Sequence, residues 1–476
     1  MSKIQTIFKN MSWLLISQIV ASICGFIWTI LMARYLGVDN YGILGFAISI
    51  TGILTVLDDL GISGHIVRHI ATYNESAPKY LGNAIPLKII FALMKLIITL
   101  IILILLKINE FTIFITLLFS VEMIIKSYIT LINGTFQAFE NGKYQGIGIS
   151  LMNTTTLIFI LISINLDLGL LGVSISYILA NLLTFIYIYY ILNKNIVKPK
   201  FELDWGFCKK ITLLSLPFAA MGILTTVYYS IDVVMLTKLV GDYATGIYNS
   251  TYKLISVLTL FYSVYTAVIY PVMSKFFKND KKLLIISYEK SIKYLMLIII
   301  PLAIGTSFYS LDIIQLIYGH QYDAAASVLS ILIWTVCLLF ISGASNTLLN
   351  ASHKEVTVTK IYAIAAVFNI VLNFFMIPYL SYNGAAITTV LSDVLIVSLQ
   401  TYVIRRIGHK ANKKLYSDII KIIIGSAVLG IALYFLNLNM WFAIPVGLII
   451  YLAVVYLLRV FDNDDIYVIR EILGRN

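Results

Sequence analysis

ARYLGVDNYGI, residues 33–43, returns 204 positions later as TKLVGDYATGI, residues 237–247. Gly37 aligns with Gly241 and Gly42 with Gly246. Each copy joins two apolar runs of membrane-spanning length, so the fold turns on whether one element has been used twice. Two more segments repeat in the same order. GTFQAFENGKY (134–144) pairs with TLLNASHKEVT (347–357), and GLLGVSIS (169–176) with SYNGAAIT (381–388). Six apolar runs separate the copies, and an even number preserves direction, so the halves are related by an axis along the membrane normal.

About fourteen such runs fill the chain, from 13–32 to 440–460, and crossing a hydrocarbon core takes roughly 20 residues. The expectation is an all-α polytopic membrane protein with about 14 transmembrane helices: two six-helix lobes as parallel repeats, plus two C-terminal helices. The lobes occupy 1–200 and 201–407, and 408–476 carries the last two helices and a cytoplasmic tail. The longest polar break, NKNIVKPKFELDWGFCKK at 193–210, holds five lysines and follows six spans. It reads as the linker between the halves.

Charge gives the orientation. Twenty-five lysines and arginines fall in one set of alternating connections, from Lys3 and Lys9 through Lys410 to Arg470 and Arg475, while the other set holds only Arg34, Lys107 and Lys238. The positive-inside rule makes the first set, with both termini, cytoplasmic, in a multi-pass protein of the cytoplasmic (inner) membrane.

Composition narrows the class. Hydrophobic residues make up 60% of the chain and charged residues 12%, against about 25% charged in soluble domains. The net charge of +11 would suit nucleic acid, but cations on one membrane face answer to anionic lipid, and no nucleic-acid partner is expected. Cys24, Cys208 and Cys337 lack the paired spacing of a disulfide framework or zinc site. The first apolar run is too long for a signal-peptide core and shows no small-residue cleavage motif, so it reads as a retained span.

Charges inside spans cost about 2.5–3.5 kcal/mol on insertion scales, so each calls for a reason. Lys88, Lys95, Glu122, Lys126, Asp232, Lys253 and Asp393 lie within spans. Asp58 and Asp59 end span two, and Arg34 ends span one. Lys88 and Lys95, seven apart, share a helix face, with Lys88 near enough the cytoplasmic end to snorkel. Glu122 and Lys126 are spaced to neutralise each other, a reading level with a transport role. In span eight (246–270), Asn249, Lys253 and Ser256 form a polar stripe. Span two carries the equivalent stripe, with Gly45, Ser49, Gly52 and Asp59. Such stripes either pack helices together or line a wet interlobe cavity, and the lysine favours the cavity. Arg34, Lys88, Lys95, Lys126 and Lys253 then form a ladder of cations suited to an anionic headgroup, lysine meeting phosphate as a point charge.

No catalytic constellation emerges. His65 and His69 are one helical turn apart but have no third metal ligand, and no nucleotide-binding glycine loop is present. The chain is not expected to be an enzyme, and no cofactor is expected.

Three stretches carry a family likeness: SQIVASICGFIWTILMARYLGVDNYGILGF (17–46), DLGISGHIVRHIA (59–71) and YYSIDVVMLTKLVGDYATGIYNSTYKLI (228–255). Through them the chain resembles the polysaccharide-transporter branch of the MOP superfamily, the Wzx-like lipid-linked oligosaccharide flippases. The resemblance implies two six-helix bundles that work by alternating access. A cationic cavity would receive a polyprenyl pyrophosphate carrying sugars while the carrier lipid stays in the bilayer. It places Arg68 where it would touch pyrophosphate or anionic lipid, and it implies glycan-assembly proteins as partners. Where the family carries cavity arginines, this chain offers Lys95, Lys126 and Lys253. Two competing functions remain. A cation-coupled multidrug extruder of the same superfamily would use Asp232 or Asp393, with Glu122 a third candidate for coupling to a Na+ or H+ gradient. A membrane glycan polymerase or ligase would carry a large external loop with Arg and His, whereas the longest outer loop here, 310–324, has only His320.

Overall fold

In a computed structural model, which describes residues 3–409 and 412–461, every regular element is a helix. The side chain of Lys3, together with Lys410, Arg470, Arg475 and the expected tail after residue 461, lies outside the described residues. The chain forms two compact units, Met1–Ser250 and Thr251–Asn476.

The first unit contains α1 (Lys3–Asp59), α2 (Ile62–Thr72), α3 (Ala77–Leu105), α4 (Glu110–Ala138), α5 (Gly142–Asn165), α6 (Gly169–Ile191), α7 (Trp205–Leu239) and most of α8 (Asp242–Ser256). The second contains α9 (Thr259–Asn279), α10 (Lys281–Phe308), α11 (Ser310–Tyr318), α12 (Ala325–Ala351), α13 (Glu355–Arg406), α14 (Lys413–Leu436) and α15 (Met440–Leu457). Among the described residues, 11 helices are long and apolar enough to cross a membrane. Two of these are bent pairs, α1 at Gly37 and α13 at Ser381. All fourteen apolar runs thus have a helical counterpart, the eighth falling on α8 and α9.

That eighth run was expected as one continuous span, and the structure breaks it. Val257 and Leu258 donate to carbonyls only three residues back, Leu254 and Ile255. The Ser256 hydroxyl donates to the Lys253 carbonyl at 2.7 Å. Tightened bonds of this kind and a hydroxyl competing for the helical carbonyls end the helix.

The repeat is visible in the backbone. The aligned pairs Gly37 and Gly241, Glu140 and His353, and Gly169 and Ser381 all have positive φ, at 71° and 124°, 53° and 57°, and 60° and 52°. Left-handed residues are scarce outside glycine, so three matches at aligned turns mark the same turn built twice. The copies also meet. A Cβ on Gly42 would overlap the Asp242 carbonyl, and one on Gly246 would overlap the Val38 carbonyl. Val38 aligns with Asp242 as Gly42 does with Gly246, so the contact is reciprocal. Close backbone approach through small residues is how membrane helices pack without a hydrophobic drive.

Helix faces follow the solvent. On α3, Ile89, Leu93, Ile97 and Ile104 are exposed, whereas Lys88, Ala92, Lys95, Thr99 and Leu103 are buried. Apolar outside and polar inside is the pattern expected of a helix facing lipid. The linker between halves is held to the start of α3: Lys200 donates its backbone N–H to the Pro78 carbonyl at 3.0 Å, and Asp204 donates to Asn83 Oδ1 at 2.9 Å.

Candidate functional site

Two adjacent aspartates end α1, where Leu60 and Gly61 take positive φ and turn the chain into α2. Neighbouring residues point about 100° apart around a helix, so the two carboxylates reach different depths of α3. Lys95 Nζ lies 2.6 Å from Asp58 Oδ2, with both side chains buried. Seven residues earlier on the same face, Lys88 pairs with Asp59 and donates to the Ser63 hydroxyl at 3.2 Å. Ser63, at the start of α2, also gives its backbone N–H to Asp59 Oδ2 at 3.1 Å. The Lys88 ammonium sits 5.9 Å from the Tyr128 ring centroid on α4.

A third acid completes the cluster. Glu122 on α4 is buried and accepts from the Asn181 amide of α6. Lys95 and Lys126 both act on it electrostatically, and it acts on Tyr177 of α6. Among the described residues, Glu122 Oε2 and Asp58 Oδ1 are buried with no hydrogen-bond partner. Among the described residues, the buried charged side chains of the first unit are Asp58, Glu122 and Asp232 with Lys88 and Lys95, and the exposed Lys126 acts on Glu122 from outside this set.

These contacts revise the cation ladder. Lys88 does not snorkel: it is 1% exposed and its ammonium turns inward to Asp59. Lys95 was expected as an open cavity cation and is closed by Asp58, because a lysine buried in the bilayer gains more from an acid in contact than from distant water. Asp59 was expected to line a cavity and is the partner of Lys88. Asn249 is 5% exposed and packs into the space above Gly45, where a Cβ would lie 2.5 Å from its Nδ2. Within the first unit Asn249 of span eight thus meets Gly45 of span two in a helix–helix contact. Ser49 and Ser256 are half-buried, whereas Lys126, Lys253, Arg34 and Arg68 are exposed. Asp232 is buried and accepts from Tyr248 Oη at 2.8 Å, and Asp393 is half-buried within electrostatic reach of Tyr362.

Sequence reading missed the second unit's counterpart. Lys293 of α10 pairs with Asp418 of α14 at 3.1 Å, both buried. The signal was weak: Lys293 stands at the start of an apolar run, three residues after Lys290 and four after Glu289. Asn181 and Ser63 were missed because single amides and hydroxyls are ordinary in such helices. Among the described residues no group of three or more metal-ligating side chains occurs.

Comparison with known proteins supplies the context. The sequence family described as "Polysaccharide biosynthesis protein" matches residues 7–277, and the MatE family matches residues 217–375. The capsular polysaccharide biosynthesis protein CapF of Staphylococcus aureus is 24% identical over 408 residues, covering 84% of this chain and 99% of its own. The probable low-salt glycan biosynthesis flippase Agl15 of Haloferax volcanii is 23% identical over 402 residues, covering 80% and 79%. The solved lipid II flippase MurJ, in an inward closed conformation, superposes with a TM-score of 0.78 at 17% identity over 94% of this chain and 98% of that one. An inward-facing multidrug resistance MATE transporter of the MOP superfamily gives 0.66 at 14% identity, over 83% and 96%. At these identities the structures speak for the fold.

Proposed function

The chain belongs to the polysaccharide biosynthesis protein family, and from that premise we propose that it is a flippase, moving lipid-linked oligosaccharide across a membrane for cell-surface polysaccharide synthesis. The observation that carries this reading is likeness over most of the chain's length to two proteins named for glycan biosynthesis, one of them as a flippase. The cargo is a polyprenyl pyrophosphate bearing sugars. Its carrier stays in lipid while the glycan crosses by alternating access. The protein sits in the cytoplasmic membrane with both termini inside, a placement supported by the lysine and arginine bias. Glycan-assembly proteins deliver and collect the cargo.

The exposed cations Lys126, Lys253, Arg34 and Arg68 meet the diphosphate. Lys88 and Lys95 have a positioning role, tying α3 to the end of α1. Glu122 is the coupling acid. Its buried Oε2, without a hydrogen-bond partner among the described residues, supports uptake of one proton or Na+ per cycle, and Asp232 and Asp393 are the other candidates. No cofactor is needed for a step that makes and breaks no covalent bond.

Proteoliposomes loaded with a fluorescent lipid-linked oligosaccharide test this directly. Flipping is expected to fall at least about tenfold in a Lys126→Ala, Lys253→Ala chain, from the loss of charge-assisted contacts. Normal flipping in that chain would remove the cationic route. The second reading, a multidrug extruder, is favoured only by the MatE match at 217–375; drug efflux without glycan movement would replace the flippase with it.

A further inference from the structure

The two repeats finish one end of their bundles differently. In the first, residues 60–76 separate α1 from α3 and contain the amphipathic helix α2. Its Ile62, Ile66 and Ile70 are fully buried in a cluster with Phe136, Ala138 and Leu192, and Phe139 packs against them. The turn between α4 and α5 is thus covered by a plug. In the second repeat the 204-residue offset carries α2 onto 266–276, which are not a separate helix but the C-terminal part of α9, and only Asp280 lies between α9 and α10. The turn between α12 and α13 aligns with the plugged one, placing Ser352 where Phe139 stands. Beside it is a cavity of about 530 Å³ lined by Lys281, Lys354, His409, Ser352, Phe277 and Ile407, among others.

The cavity is chemically biased. Lys281 and Lys354 bring two cations from two helix starts, and among the described residues no acidic side chain lines it. His409 is 8% exposed and Ser352 is 7% exposed, and the Ser352 hydroxyl has no hydrogen-bond partner among the described residues. A buried hydroxyl without a partner costs about 1–3 kcal/mol, a cost that a bound acceptor would remove. Phe277 and Ile407 add apolar wall beside the cations. A volume in this range suits a small ligand, and the place, at the ends of spanning helices, is headgroup level.

We propose that this cavity binds the phosphate group of an anionic amphiphile, with Lys281 and Lys354 supplying charge and Ser352 and His409 hydrogen bonds. The ammonium groups meet phosphate as point charges, and the apolar wall holds the first part of the attached chains. The site is separate from the cations assigned to the cargo and stands whether or not that assignment does. The same phosphate chemistry is offered by a lipid headgroup and by free phosphate, and the volume and apolar wall point to the lipid.

The test uses the purified full chain in detergent, read by thermal unfolding and by native mass spectrometry. The ligands are phosphatidylglycerol, phosphatidylcholine and inorganic phosphate. Three proteins are compared: the natural chain, Lys281→Gln/Lys354→Gln, and Ser352→Phe, which installs the first repeat's residue. Phosphatidylglycerol is expected to raise the unfolding temperature of the natural chain more than phosphatidylcholine does, with binding at least about tenfold weaker in both variants. If inorganic phosphate alone reproduces the shift and both variants lose it, the ligand is a free anion and the site stands. If the shift survives in Lys281→Gln/Lys354→Gln, or if neither ligand shifts the natural chain, the proposal is overturned. The glutamine exchanges change only exposed side chains, so the test holds even where Ser352→Phe folds poorly.

Discussion

In the first unit, the buried lysines of α3 are closed by acids from α1, a helix of the same repeat. In the second, the buried Lys293 of α10 is closed by Asp418 from α14, which lies outside the repeat. The contrast gives the two C-terminal helices a job. A lysine at bilayer depth needs an acid in contact, and the second repeat takes its acid from the appended helix. The buried α3 lysines of the first repeat, by contrast, find their acids within that repeat.

If that contrast holds, the largest effect belongs to the most enclosed pair. Asp58→Asn strands Lys95 and should cost about 3–5 kcal/mol, the range for breaking a buried pair. Adding Lys95→Met should recover most of it, as followed by thermal unfolding in detergent. Asp418→Asn should cost about 3 kcal/mol, less because its pair is longer, 3.1 Å against 2.6 Å. Rescue by Lys293→Met would show that α14 supplies charge; a loss that Lys293→Met leaves intact would show that α14 is needed for packing alone. Gly42→Ala and Gly246→Ala each push a methyl into a backbone carbonyl and should each cost about 1–3 kcal/mol. Equal costs would confirm the reciprocal contact, and a large inequality would break it. Lys88→Gln should cost only about 1 kcal/mol, because Asp59 is 22% exposed and water can replace its partner.

The smallest expected effect is a pH dependence at the second unit's open end. Burial lowers the His409 pKa below the usual imidazole value, and the Lys281 charge lowers it further. The folded chain then binds fewer protons than the unfolded chain as pH falls through the ordinary histidine range, so stability at this end declines on acidification. Bound phosphate would face His409, Lys281 and Lys354 and raise that pKa, so the decline should shrink with phosphatidylglycerol present. Unfolding midpoints across that range, with and without lipid, measure it, and an unchanged slope would count against His409 as a ligand.

Much of the fold was legible because hydropathy and turn chemistry are local. The glycines at 37, 42, 241 and 246 marked the repeat, and the backbone carries it at the aligned residues. The break at 257–258 was hidden because it rests on hydroxyls of Ser256 and Thr259, residues that also occur in intact helices. The site was legible as a set of charges but not as a set of pairs. Lys95 and Asp58 are 37 residues apart, and no spacing rule joins them across two helices. Spacing linked Glu122 to Lys126, one turn away, and the two do interact electrostatically, but it could not find the Asn181 amide, 59 residues on, that Glu122 accepts from.

The reciprocal contact also bears on ancestry. Each half carries both the small residue and the carbonyl it meets, at Gly42 and Val38 and again at Gly246 and Asp242. A half-length chain with that patch would be self-complementary, able to pair with a second copy of itself about a twofold axis. Duplication and fusion would then have joined partners that already fitted, after which the plug in one half and the open recess in the other could diverge.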